Sequence, residues 1–175
     1  MRWQANVVLI LPFIVTTIAG ARSWTEGRAQ AQGTQVREYW IDPSTGLMWA
    51  GKDNGKDVNW KKAMKYCRDL RLAGYSDWRL AAIDELEGIY DKTANAPGLA
   101  GKHGDDPFPW HVKGNLFLTG RQWSSSQIPD DRGRNSGGVW FIDLSNGYKG
   151  KGDSTWSGRG EDNFRRALCV RDTGQ

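Results

Sequence analysis

A chain of 175 residues with a net charge of +4 has room for one core of ordinary size and not for two. Its charges are mixed, with no polybasic arm or acidic tail, so the balance gives no reason to expect a nucleic-acid partner. The anomalies are ten tryptophans and 22 glycines. A domain of this size cannot hide every indole, which leaves some for exposed loops where flat rings meet sugars, bases or cations. Glycine in that quantity means many turns.

The chain opens with a positive charge in Met1-Arg2-Trp3-Gln4, an apolar run from Val7 to Ile18, and the small residues Ala19-Gly20-Ala21. This is the plan of a secretory signal peptide over 1–21, with a second candidate cut after Ala31. The run is shorter than the ~20 residues needed to span a bilayer, which argues against a retained anchor. Residues 22–36, rich in Ala, Gln, Gly and Arg without period, read as a disordered tether. No later stretch is apolar enough to span. The expectation is therefore a secreted or periplasmic domain over 37–172, with no membrane insertion after cleavage.

Tyr39-Trp40-Ile41 and Leu47-Met48-Trp49 flank the turn chemistry of Asp42-Pro43-Ser44-Thr45-Gly46, which predicts a hairpin. Lys52 to Asp57 reads as a polar loop. Trp60, Ala63, Met64, Cys67 and Leu70 then recur at helical spacing, predicting a helix from Trp60 to Leu72 that begins at Asn59 or Asp57 and stops at Gly74. Ile83, Leu86, Ile89 and Tyr90 repeat the pattern, predicting a second helix over 83–90. Between them lies Gly74-Tyr75-Ser76-Asp77-Trp78-Arg79-Leu80. Trp78 reads as core. Arg79 reads as a strut to a backbone carbonyl or to a carboxylate such as Glu85, with a grip on a ligand as the alternative.

Thr93 to Gly120 is the least regular part and holds Lys102-His103-Gly104-Asp105-Asp106-Pro107-Phe108-Pro109-Trp110-His111. Its His103, Asp105, Asp106 and His111 match no standard metal spacing, so no metal is assigned, and Trp110 is the better candidate for contact with a ligand. Leu116 onward reads as strand: Phe117-Leu118, Trp123 with Ser124-Ser125-Ser126, Val139 to Leu144, a turn at Asn146-Gly147, and a last strand over Ala167-Val170. Hairpin, two helices, long loop, then strands is the order of an α+β domain. With only two cysteines in an exported chain, Cys67 and Cys169 either pair or are separately buried thiols.

Several separated motifs together resemble the Lcl C-terminal domain family over about residues 37–171: Asp42 to Trp49, Trp60 with Ala63 and Tyr66-Cys67, Gly74 to Leu80 with Glu85-Leu86, Trp123 to Ser126, and Cys169-Val170-Arg171. Ala81-Ala82 departs from the family's usual Pro-Thr, removing a helix-start proline and a hydroxyl cap. The resemblance implies a C-type-lectin-like fold, with two helices flanking small antiparallel sheets, long irregular loops and paired N- and C-terminal strands. It also implies a Cys67–Cys169 disulfide from the first helix to the last strand, and makes Trp49, Trp60, Trp78, Arg79, Glu85, Trp123 and Arg171 structural residues. The adhesin after which the family is named binds sulfated glycosaminoglycans. Gln127-Ile128-Pro129-Asp130 only approximates the calcium-dependent sugar motif of such folds and lacks a Trp-Asn-Asp partner, so calcium binding is not expected.

Three functions compete on these residues. The first is an exported module for an anionic polysaccharide or a surface protein, without cofactor. Trp110, Tyr148 and Trp156 would supply rings, and Arg132, Arg134, Lys149, Lys151 and Arg159 the cations, with Arg165 and Arg166 nearby and Trp140 read as core. The second is a hydrolase, which would need a base for Ser124 to Ser126 and finds only His103 and His111, so catalysis is not expected. The third is a protein-binding display scaffold with residues 121–163 as its variable surface.

Overall fold

The computed structural model describes residues 37–100, 106–155 and 165–174. The signal peptide, the tether, His103, Asp105, Trp156 and Arg159 lie outside the described residues. The predicted hairpin forms as β1 (Tyr39–Ile41) and β2 (Leu47–Ala50), paired with Trp40 opposite Trp49. Asp42 makes the turn: its carboxylate accepts from the Ser44 N–H at 2.9 Å and hydroxyl at 2.7 Å, and from the Thr45 hydroxyl at 3.0 Å. Gly46 then takes a φ of 72° that a side chain would resist.

Helix α1 (Trp60–Asp69) starts where Asn59 accepts the Lys62 N–H at 2.9 Å, and it buries Ala63 and Cys67. It ends at Leu70, short of the expected Leu72, because residues 72–75 close a separate turn with reciprocal Leu72 and Tyr75 backbone hydrogen bonds. Ala73 and Gly74 occupy left-handed conformations inside that turn, so Gly74 serves the turn and not the helix end. β3 (Arg79–Leu80) leads into α2 (Ile83–Gly88). The hydroxyl missing at Ala82 is supplied from across the molecule: Ser126 Oγ accepts the Ile83 N–H at 3.0 Å, and Glu85 Oε2 accepts the Ala82 N–H at 2.7 Å. Arg79 is the expected strut, forked on both Glu85 oxygens at 2.7 Å. Trp78 is 2% exposed, and Arg171 clasps Asp77 at 2.7 and 3.0 Å while stacking on Tyr75 at 3.8 Å.

Two short strands, β4 (Leu99–Ala100) and β5 (Asp106–Pro107), pair within the long loop. The second half is strand: β6 (Arg121–Pro129), β7 (Asn135–Asp143), β8 (Tyr148–Asp153), β9 (Arg165–Arg166) and β10 (Cys169–Asp172). One sheet runs β8-β7-β6-β9 and the other β1-β2-β10-β3. The last strand therefore lies between β2 and β3, joined to both by antiparallel pairing. Mostly strand with two helices, the domain is α+β.

Strands alternate their side chains between two faces, and here both faces are covered. Trp49 and Val170 enter a core with Leu86, Ile89, Leu118, Ile142 and Leu144. Their neighbours Met48 and Cys169 enter a second core with Ala63, Trp78, Leu80, Trp123 and Phe141. Cys67 and Cys169 are bonded inside that second core, Cα atoms 5.3 Å apart across 102 positions of sequence. Double coverage takes up the described indoles: none of the seven tryptophans among the described residues is exposed, and the exposed large side chains among them are Tyr39, Ile41, Tyr75, Phe108 and Tyr148. It also corrects the reading of glycine as turn alone. A Cβ on Gly152 would stand 2.5 Å from the Trp123 ring, and one on Gly150 or Gly98 would collide with Phe141 or Trp110. Glycines make the room in which the rings are buried.

Candidate functional site

β8 is an edge strand, and its period-2 alternation divides the residues expected to bind. Tyr148, Gly150 and Gly152 face one side; Lys149 and Lys151 face the other, opposite Ile142 and Trp140. Tyr148 is 59% exposed, its ring edge-on to Phe141 at 6.3 Å. On the other side the Lys151 ammonium lies 5.7 Å from the half-buried Trp140 ring, and Lys149 pairs with Glu87 of α2 at 2.7 Å. Arg132 and Arg134 sit at the β6–β7 turn. β8 pairs Tyr148 with Asp143 and Asp153 with Gly138, so that turn is at the opposite end of the sheet from Tyr148. Arg134 there is forked on Asp130 at 2.8 and 3.0 Å, while the Arg132 side chain has no ion-pair partner among the described residues.

Three expected contacts are withdrawn from the surface. Trp110 is 4% exposed, edge-on to Phe108 at 5.2 Å and bridged through its backbone to Ala96, because Gly98 leaves space for its indole. Arg165 is half-buried, its guanidinium 4.6 Å from the Trp123 ring and 4.1 Å from Phe141. Arg166 is 4% exposed, donates to Thr119 Oγ1 at 2.8 Å and pairs with Asp57. Trp140, read as core, is only partly covered.

Two of the three hydroxyls weighed for catalysis, those of Ser124 and Ser126, have structural partners. Ser124 is buried and accepts the Ser126 N–H at 2.9 Å, and Ser126 caps α2. His111 donates from Nδ1 to the Ala94 carbonyl at 2.7 Å. Asp130 accepts the Arg132 and Arg134 N–H groups; these, first among them Arg134, hold its carboxyl below the usual range. Among the described residues no three His, Cys, Asp or Glu side chains gather as metal ligands.

Two features escaped the sequence reading. Asp53, in what read as a polar loop, is 2% exposed and accepts four hydrogen bonds: Gly55 N–H, Thr119 hydroxyl, Thr119 N–H and Gln122 Nε2, at 2.9, 2.8, 2.7 and 3.0 Å. Burial pushes its carboxyl up, against the pull of those donors. Its Asp-x-Gly spacing to Gly55 carried the local half of that signal; the partners 66 and 69 positions away did not show. The second is a pair of hollows along α1, of about 440 and 280 Å³, which share Tyr66 and Leu70. Val58 completes the apolar floor of the larger, Ala50 and Leu72 that of the smaller; Lys56, Lys62, Lys65 and Arg71 edge the larger hollow, Arg37 and Lys52 the smaller. The hollow of about 400 Å³ beside Pro97 and Phe108 has no charged residue in its lining.

No curated protein and no solved structure gives a significant match to the chain. The pattern that defines the Lcl C-terminal domain matches residues 38–171, the whole run from the first hairpin through the cysteine-bearing last strand. The chain belongs to the Lcl C-terminal domain family.

Proposed function

We propose that the chain is exported and serves, without catalysis, as a binding module for an anionic polysaccharide at a surface outside the cytoplasm. Export rests on the charged, apolar and small-residue succession of 1–21. The single observation that carries the ligand is the association of exposed cations with ring faces: Lys151 over Trp140 beside Lys149 on one side of β8, and the exposed Tyr148 ring on the other. Rings of this kind stack on the C–H faces of sugars, and ammonium groups hold sulfate or carboxylate. Lys149 is tied to Glu87, but both side chains are about two-fifths exposed at 42% and 39%, and an exposed pair of that kind is worth about 0–1 kcal/mol. An incoming acid group can take Glu87's place.

A C-type-lectin-like fold accords with this reading. A last strand drawn between β2 and β3, its covalent tie to α1, and a long loop carrying β4 and β5 are the features that support it. The test is retention of the full chain on immobilised heparin or a panel of acidic glycans. Retention at low salt that is lost at moderate salt is expected, since screening shortens the reach of exposed charges. No retention at low salt would refute the proposal.

A further inference from the structure

We infer that the anionic polysaccharide has a second stretch of contact along α1, in the two hollows that share Tyr66, with acid groups on Lys56, Lys62, Arg71, Arg37 and Lys52. The inference takes from the preceding reading only that the ligand is an anionic polysaccharide; it adds a contact face to the one at β8.

Charge is the first ground. Six cations edge the two hollows against two acids, Glu38 and Asp69. Both acids are engaged: Asp69 pairs with Lys65, and Glu38 accepts the Ala73 N–H at 3.2 Å. Arg37, Lys52, Lys56, Lys62 and Arg71 are left without a carboxylate partner among the described residues. On the β8 side and at the β6–β7 turn Lys149 and Arg134 each already hold one, which leaves Lys151 and Arg132 without a carboxylate partner there among the described residues.

The sequence of α1 is the second ground. Lys61 and Lys62 stand in its first turn, where the helix dipole is positive, and no acid is there to offset them. Local helix rules favour an acid at such positions, and departures from local rules gather where a ligand is served. Lys62 and Lys65, three apart, lie on one side of the helix and border the same hollow.

The floor decides which polyanion fits. Tyr66 and Leu70 belong to both hollows, so a ligand that occupies both must cross the half-buried Tyr66 ring. Burial, and then the charge of Asp53, pushes the Tyr66 hydroxyl above its ordinary value, so it is a neutral donor. A floor with one ring, one hydroxyl and cations to both sides suits a linear chain with apolar C–H faces between its acid groups, a stacking face that neither a phosphate headgroup nor an acidic peptide brings to the ring.

The experiment compares the full chain with Lys56→Glu/Lys62→Glu and with Lys92→Glu, a lysine outside both faces, by affinity for heparin in dilute salt. All three side chains are exposed, so equal thermal midpoints will show that the variants fold. The α1 double variant is expected to bind about ten-fold or more weakly, equivalent to ~1.4 kcal/mol, and Lys92→Glu within about two-fold of the wild type. Unchanged affinity in the α1 variant overturns this inference and leaves the proposed function standing. Absence of wild-type binding overturns both. Tighter binding to phosphatidylglycerol vesicles or to polyglutamate than to heparin overturns the assignment to polysaccharide.

Discussion

Breaking the Cys67–Cys169 bond is the perturbation whose size the structure sets most directly. The bond spans 102 positions, the greater part of the described domain. In the chain-entropy account, a loop of that length restricts the unfolded chain by about 4.7 kcal/mol at 25 °C. The sulfurs sit in a core where Cys67 is 0% and Cys169 1% exposed, so reductant reaches them only when that core opens. The assay is urea unfolding of the oxidised protein, of protein unfolded and refolded in reductant, and of Cys67→Ala/Cys169→Ala. With a urea slope of ~1–3 kcal/mol per M, the reduced protein should unfold roughly 1.6 to 4.7 M earlier. The alanine variant should be weaker again, because it also empties volume between Trp78, Leu80 and Trp123. Under native conditions the bond should survive millimolar dithiothreitol. A midpoint shift below about 0.3 M, or prompt reduction without unfolding, would refute the claim that this bond closes the domain.

The remaining predictions concern smaller parts. Ser126→Ala should cost about 1 kcal/mol by uncapping α2 across the molecule, and adding Ala82→Ser should restore much of it with a local cap; thermal melts of the single and double variants decide. Glu85→Gln should cost about 1–2 kcal/mol, discounted for the 40% exposure of the Arg79 side chain, since it weakens the fork and the Ala82 bond together. Burial pushes the Glu85 and Asp42 carboxyls up, but Arg79 and Ala82 in one case, Ser44 and Thr45 in the other, bring both below their ordinary values. Folded values below unfolded ones give stability present above pH ~4 and lost as pH falls through the folded values. An acid titration of the melting temperature should therefore drop below pH ~4, less steeply in Glu85→Gln. Asp53, pushed the other way, should give stability that falls as pH rises through its raised value. Gly152→Ala should cost about 1–3 kcal/mol and alter the near-ultraviolet signal of Trp123, while Gly88→Ala, with open space and no positive φ, should be neutral or slightly stabilising.

Much of the fold is written locally. The β1–β2 turn needs only Asp42 and its next four neighbours; α1 needs its apolar spacing and Asn59; the Arg79–Glu85 fork joins residues six apart. Such interactions close short stretches of chain, and residue type with spacing is enough to announce them. With two cysteines and a family pattern, even the distant disulfide was within reach.

The candidate site was not, because surface is what remains after long-range packing is complete. Whether Trp110 meets solvent depends on Gly98 and Leu118; whether Arg165 does depends on Trp123 and Phe141. Adjacent residues such as Tyr148 and Lys149 look like one patch in sequence, yet a strand sends them to opposite faces. Conversely Arg37, Lys52 and Lys62, far apart in the chain, come to border hollows that share Tyr66 and Leu70 only because the start of the domain, the segment after β2 and α1 pack together. Sequence alone determined the family, the α+β class and the local turns and caps, whose partners lie within a few residues. The tertiary structure decided which rings are covered and which cations are left to attract a ligand, since both depend on groups brought together from distant parts of the chain.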